Sequence, residues 1–120
     1  MGIRVTQMIL RVTFIINLIL GIAFWTGHEN QAVKGIHMII GIVFVAALFW
    51  FGAAQAMRGG SLGIMAGTFV IGLALAIVGF TQEGIDTEWI KVVHLVLAVA
   101  AIGIAEMAGA RLNRASASKA

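Results

Sequence analysis

Residues 34–57 read KGIHMIIGIVFVAALFWFGAAQAM. After the leading lysine and histidine the run carries no charge, and Gln55 is its one further hydrogen-bonding aliphatic side chain. Its length fits the roughly 20 residues that a helix needs to cross a bilayer. Hydrocarbon offers no water to backbone N–H and C=O groups, so a run of this kind spans as an α-helix. Three further runs match it in length and character, at about 8–26, 62–80 and 89–110. Together with 35–57 they predict an all-α, four-helix membrane bundle occupying residues 1–110 as one domain. Four strands would be too few to close a barrel. The remaining residues, 111–120, form a basic tail that reads as frayed and solvated.

Composition supports this reading and excludes others. The 120 residues are 61% hydrophobic and 11% charged, whereas a soluble domain is about one-quarter charged. A water-soluble core and disorder are both ruled out. There is no Cys, which removes disulfides, thiolate metal sites, iron–sulfur ligation and covalent c-type haem attachment. The net charge of +3 is not a nucleic-acid signature, because the charges sit at the ends of the apolar runs and act as topology determinants. The first run is too long for a signal-peptide core and no small-residue cleavage site follows it, so it reads as a mature helix.

Six of the eight basic residues, Arg4, Arg11, Arg58, Arg111, Arg114 and Lys119, fall on one side of the predicted bundle. The other side carries Lys34 and Lys91 with Glu29, Glu83, Asp86 and Glu88. The positive-inside rule then predicts a multi-pass protein of the cytoplasmic membrane with both termini and the Arg58 turn inside, and with Trp25 and Trp89 at the outer boundary.

The second and fourth runs open alike, Lys34-x-x-His37 and Lys91-x-x-His94, each after a polar loop containing Glu. The chain therefore reads as two helical hairpins related by a pseudo-two-fold axis along the membrane normal. Both histidines lie about one turn inside the outer boundary, on helices that a short-looped bundle places diagonally. Intramembrane ionisable residues are costly and usually functional. Two facing imidazoles suit a planar macrocycle whose metal takes one axial nitrogen from each side, and one haem b is the commonest such case. Gly41 and Ala98, four residues beyond the histidines, leave room against the backbone. Gly21 and Ala76, with Gly79 nearby, would let macrocycle edges pass between helices. Lys34 and Lys91 are placed to meet propionates. Ala101 and Ala105 extend a small-residue stripe, with Phe44 and Leu48 packing from the second run.

Among the other polar residues, Arg11 and Glu106 are expected to pair, and Asn17 to bond between helices. Gln55, about five turns below His37, is likewise expected to bond between helices and to close the cavity floor, His28 to be a solvated loop residue, and Gly63-x-x-x-Gly67, with Gly72 and Gly79 further on, to let the third helix pack closely.

Four spans, both termini inside and outer-leaflet histidines at Lys34-x-x-His37 and Lys91-x-x-His94 resemble one half of a heme A synthase-type bundle, and more broadly compact b-type membrane cytochromes. The first loop, Gly27-His28-Glu29-Asn30, lacks the acidic motif followed by His-Arg found in those synthases. The resemblance therefore implies tetrapyrrole binding rather than their reaction. The expected function is single-electron transfer through a haem held by His37 and His94, beside a larger respiratory or photosynthetic complex or within a homo-oligomer. The alternative is a non-redox accessory subunit holding (bacterio)chlorophyll, lipid or no cofactor. An electron carrier or accessory subunit is expected rather than a catalyst, with the lipid bilayer as surroundings and no nucleic-acid partner.

Overall fold

The computed structural model describes residues 2–85 and 87–118. Asp86 and Lys119, two of the charges used for orientation, lie outside the described residues, as does the Glu83 side chain. Four helices carry the fold: α1 (Ile3–Trp25), α2 (Gln31–Met57), α3 (Leu62–Thr81) and α4 (Glu88–Ser118), with one 3-10 turn at Gln82–Gly84. Each of the four is long and apolar enough to cross a membrane.

The helix limits follow from local chemistry. Asn30 caps α2 by accepting a hydrogen bond from the Val33 N–H at 2.9 Å, so α2 starts four residues before the apolar run. Ser61 caps α3 in the same way, accepting from the Ile64 N–H at 3.3 Å. Gly59 supplies the positive φ of +83° that the tight turn after α2 demands. α1 begins five residues earlier than the apolar run predicts, because Ile3, Thr6 and Gln7 are already buried. The tail departs from the frayed reading: α4 continues without interruption to Ser118. Beyond Gly109 its residues are mostly Ala, Arg and Leu, strong helix formers with no Gly or Pro to stop them.

Sequential helices pack side by side, α4 closes back on α1, and α2 also touches α4 across the bundle diagonal. The core is large side chains set against small ones. Leu10, Leu48 and Phe51 are fully enclosed, as are Ala101, Ala105 and Ala108 on α4. Phe44 and Leu48 with Ala101 and Ala105 thus fill the middle of the bundle with protein; they are core rather than open stripe. The outer surface is the inverse of a soluble protein's. Ile39, Val70 and Val96 are 65%, 68% and 59% exposed, an apolar coat that fits lipid.

Toward the basic end, two polar devices join α1 to α4. The Arg11 guanidinium grips Glu106 with both nitrogens, Nε to Oε1 at 2.6 Å and Nη2 to Oε2 at 2.7 Å, as its placement in sequence predicts. Farther toward the basic end, the Gln7 amide donates to the Ala105 carbonyl at 3.5 Å and fills the space a side chain at Gly109 would need.

Close approach between α2 and α3 is made at Gly52 and Gly72. A Cβ at position 52 would overlap the Thr68 hydroxyl and come within 3.5 Å of the Met65 Cα, and one at position 72 would lie 2.5 Å from Phe49 Cε1. The Gly63-x-x-x-Gly67 pair does not make this contact, since a Cβ at Gly67 would meet nothing within 4 Å. Gly52→Ala is accordingly expected to destabilise the detergent-solubilised protein by about 1–3 kcal/mol through overpacking. Gly103→Ala, at an open position on α4, should leave stability unchanged or raise it by up to about 1 kcal/mol. Thermal unfolding followed by circular dichroism checks both.

Candidate functional site

In the half of the bundle that carries the α1–α2 and α3–α4 loops, two imidazoles come together. His37 stands in the second turn of α2 and His94 in the second turn of α4. The diagonal contact between those helices brings the rings to a centroid separation of 6.3 Å, with their planes inclined at 52°. Both side chains are half-buried. Among the described residues, the buried His94 Nδ1 meets no hydrogen-bond partner. Leaving a buried polar atom unpaired costs about 1–3 kcal/mol, a cost that repacking around a purely structural histidine would remove.

Neighbouring helices determine how the rings stand. Phe24 of α1 meets His37 edge-on, with centroids 5.1 Å apart and planes at 73°. His94 lies over Gly79 of α3, where a Cβ would come within 3.0 Å of the ring Cε1. Gly79 thus makes room for the imidazole itself. Phe24 was not singled out from sequence, although it falls seven residues after Asn17 and fourteen after Leu10 on one stripe of α1. That spacing marks the inner face of the helix.

The small residues expected to border a macrocycle divide into two groups. Beside Gly41 the space is taken: the Asn17 amide reaches across from α1, donating to the His37 carbonyl at 3.2 Å and accepting from the Gly41 N–H at 3.0 Å. Gly41 therefore faces Asn17 rather than an open slot: a Cβ at position 41 would lie 3.3 Å from the amide. Beside Gly21 the space is open, since a Cβ there would meet nothing within 4 Å. Ala98 packs against the core cluster from α4, and Ala76 is half-buried on α3.

At the rim of the histidine end the two lysines meet carboxylates of the protein itself. Lys34 Nζ lies 2.6 Å from Glu29 Oε1 and Lys91 Nζ 3.2 Å from Glu88 Oε1. Glu88 also accepts a hydrogen bond from the Trp25 indole at 2.8 Å, which ties the end of α1 to the start of α4. His28 sits in the loop, 3.1 Å from the Thr26 hydroxyl, away from the pair. Gln55 makes the expected bond toward a neighbouring helix but does not floor a cavity. It is buried at the opposite end, donating to the Gly52 and Ser61 carbonyls at 3.1 and 2.7 Å, so it secures the α2–α3 turn and floors nothing beneath the histidines.

Among the described residues, no group of three or more His, Cys, Asp and Glu side chains converges to hold a metal ion. Two imidazoles alone are a thin shell for a bare metal. They are a complete axial set for a metal whose equatorial ligands come from a macrocycle. One ring nitrogen on each side of such a metal, each at roughly 2 Å, would set the ring centroids about 6 Å apart, close to the separation in this bundle. The residues therefore fit an axially ligated tetrapyrrole at His37 and His94, bordered on the α1 side by the open space at Gly21.

No protein-family model matches the chain, and no curated protein and no solved structure is similar to it.

Asn17 holds the α2 backbone at the His37 turn through two hydrogen bonds, each worth about 0.6 kcal/mol on average between membrane helices. Asn17→Leu is expected to lower stability by about 1 kcal/mol, whereas Ile19→Leu on the exposed face of α1 should be neutral. Equilibrium unfolding in mixed micelles distinguishes the two outcomes.

Proposed function

We propose that the chain is a b-type haem protein of the cytoplasmic membrane, with His37 and His94 as axial ligands, that passes single electrons beside a larger respiratory or photosynthetic complex. One observation carries the proposal: two imidazoles face each other at 6.3 Å across the diagonal of an apolar bundle, and one of them keeps a buried nitrogen without a partner. The excess of arginine at the other end of the bundle supports an orientation with both termini in the cytoplasm. The histidine pair then lies just under the outer leaflet.

Haem supplies a one-electron couple, and the residues of this chain supply the rest. His37 and His94 would take both axial positions, leaving none for oxygen or substrate, which favours electron transfer over catalysis. Phe24 and Gly79 fix the ring planes, and Asn17 fixes the backbone that carries His37. The filled core of Phe44, Leu48, Ala101 and Ala105 keeps water from approaching along the bundle axis. Lys34 and Lys91 would exchange Glu29 and Glu88 for propionates at the rim, one charge-assisted pair for another. A low-dielectric surround of this kind sets the potential of the couple through burial and axial-ligand identity.

A second reading, an accessory subunit that binds (bacterio)chlorophyll or no pigment, is favoured by the carboxylates that already engage both lysines and by Asn17 beside Gly41. Difference spectroscopy separates the readings. Protein purified in mild detergent should show a Soret band and an α-band in the reduced-minus-oxidised spectrum, with the sharp low-spin α-band lost in His37→Ala and in His94→Ala. A near-red band indifferent to reductant would assign a chlorophyll instead. No pigment in wild-type protein supplied with haem would overturn the proposal.

A further inference from the structure

The end of the bundle opposite the histidines collects positive charge without answering it. Arg4 on α1, Arg58 after α2, and Arg111 and Arg114 on α4 all lie there. Glu106 is the one acid of α4 toward that end, and Arg11 already occupies both of its oxygens. Among the described residues, none of the four arginines has a hydrogen-bond or ion-pair partner.

The long axis of the bundle is 51 Å, against a hydrocarbon thickness of roughly 30 Å, so the helical extension of α4 rises past the apolar zone into headgroup depth. There it stands beside the start of α1 and the turn after α2, and a cavity of about 420 Å³ opens between the three, lined by Ile3, Arg4, Arg58, Asn113 and Ser116. Two arginines from different elements thus line one cavity with a serine and an asparagine, residue types whose side chains donate hydrogen bonds to a phosphate diester. The start of α1 adds to it, for its N-cap, Gly2, contributes no side-chain cap and its first turn holds no acid, leaving backbone N–H groups directed at the same end.

A free anion and a lipid headgroup would both satisfy these donors, but the surface below the cavity favours lipid. Val5 and Met8, within about one turn of Arg4, are 52% and 64% exposed and offer an acyl chain an apolar track that leads from the cavity toward the bilayer centre. We infer that the cleft between Arg4, Arg58 and the α4 extension binds the phosphate of an anionic phospholipid. This site is independent of the histidine pair and of any pigment.

The test uses the full chain in a neutral detergent, with phosphatidylglycerol, phosphatidylcholine and inorganic phosphate as separate probes and the thermal midpoint as readout, since a ligand specific to the folded state raises it. Phosphatidylglycerol should raise the midpoint saturably, and the other two should not. Arg4→Gln or Arg58→Gln should weaken the apparent affinity about 5-fold, and the double variant roughly 25-fold, at about one charge contact per arginine. Arg114→Gln, outside the cavity lining, should leave it unchanged. Should the double variant lose its helical circular dichroism, Arg4→Lys with Arg58→Lys keeps the charge and removes the fork, and an intermediate weakening is expected. An unmoved midpoint, an equal response to inorganic phosphate, an equal loss in Arg114→Gln, or wild-type affinity in the double lysine variant would each overturn the inference.

Discussion

An imidazole placed within an apolar helix needs a partner for each ring nitrogen, because neither lipid nor a hydrocarbon core supplies one. This protein places two such rings 6.3 Å apart and leaves His94 Nδ1 unanswered. Much of the histidine end of the bundle is arranged around that pair. Gly79 lets α3 come close enough to carry the His94 ring, Phe24 closes on His37 from α1, and Asn17 secures the turn of α2 on which His37 stands. Two helices, α1 and α3, thus orient side chains presented by the other two, and no position in the pair depends on a loop.

The two ends of the bundle use charge differently. At the histidine end, Lys34, Lys91, Glu29 and Glu88 neutralise one another, and the Trp25 indole joins them. At the other end cations stand unanswered save for the Arg11–Glu106 clasp. That clasp is 56% and 40% exposed on its two side chains, on a face where lipid rather than water is the neighbour. A bidentate pair of this kind presents little net charge to hydrocarbon, which is how two charges can sit on the flank of a spanning helix.

What could be read from sequence was what depends on one helix at a time. The four spans, the basic bias and the equivalent positions of His37 and His94 are properties of single runs. The Arg11–Glu106 pair was also legible, because they are the lone charges of their sign at that depth. Features that depend on the register between helices were not. Gly41 looked like space for a macrocycle and instead admits Asn17, since nothing in either run reveals that residue 17 stands level with residue 41. Gln55 looked like a cavity floor, but the turn geometry created by Gly59 and Gly60 pulls its amide to Ser61. Of the glycines that suggest close packing of α3, Gly72 and Gly79 make close approaches while Gly67 makes none, and Gly52 of α2 was not legible as their counterpart. The tail reads as frayed by charge and position, while its Ala-rich composition carries the helix to Ser118.

The central claim is that both imidazoles bind one metal at once, and electron paramagnetic resonance addresses it directly. Two nitrogen ligands drive ferric haem to the low-spin state, whereas loss of one leaves it high-spin. Wild-type protein loaded with one equivalent of ferric haem should give a low-spin rhombic signal, converted to a high-spin one in both His37→Ala and His94→Ala. A high-spin signal from the wild type, or a low-spin signal that survives either substitution, would contradict the account.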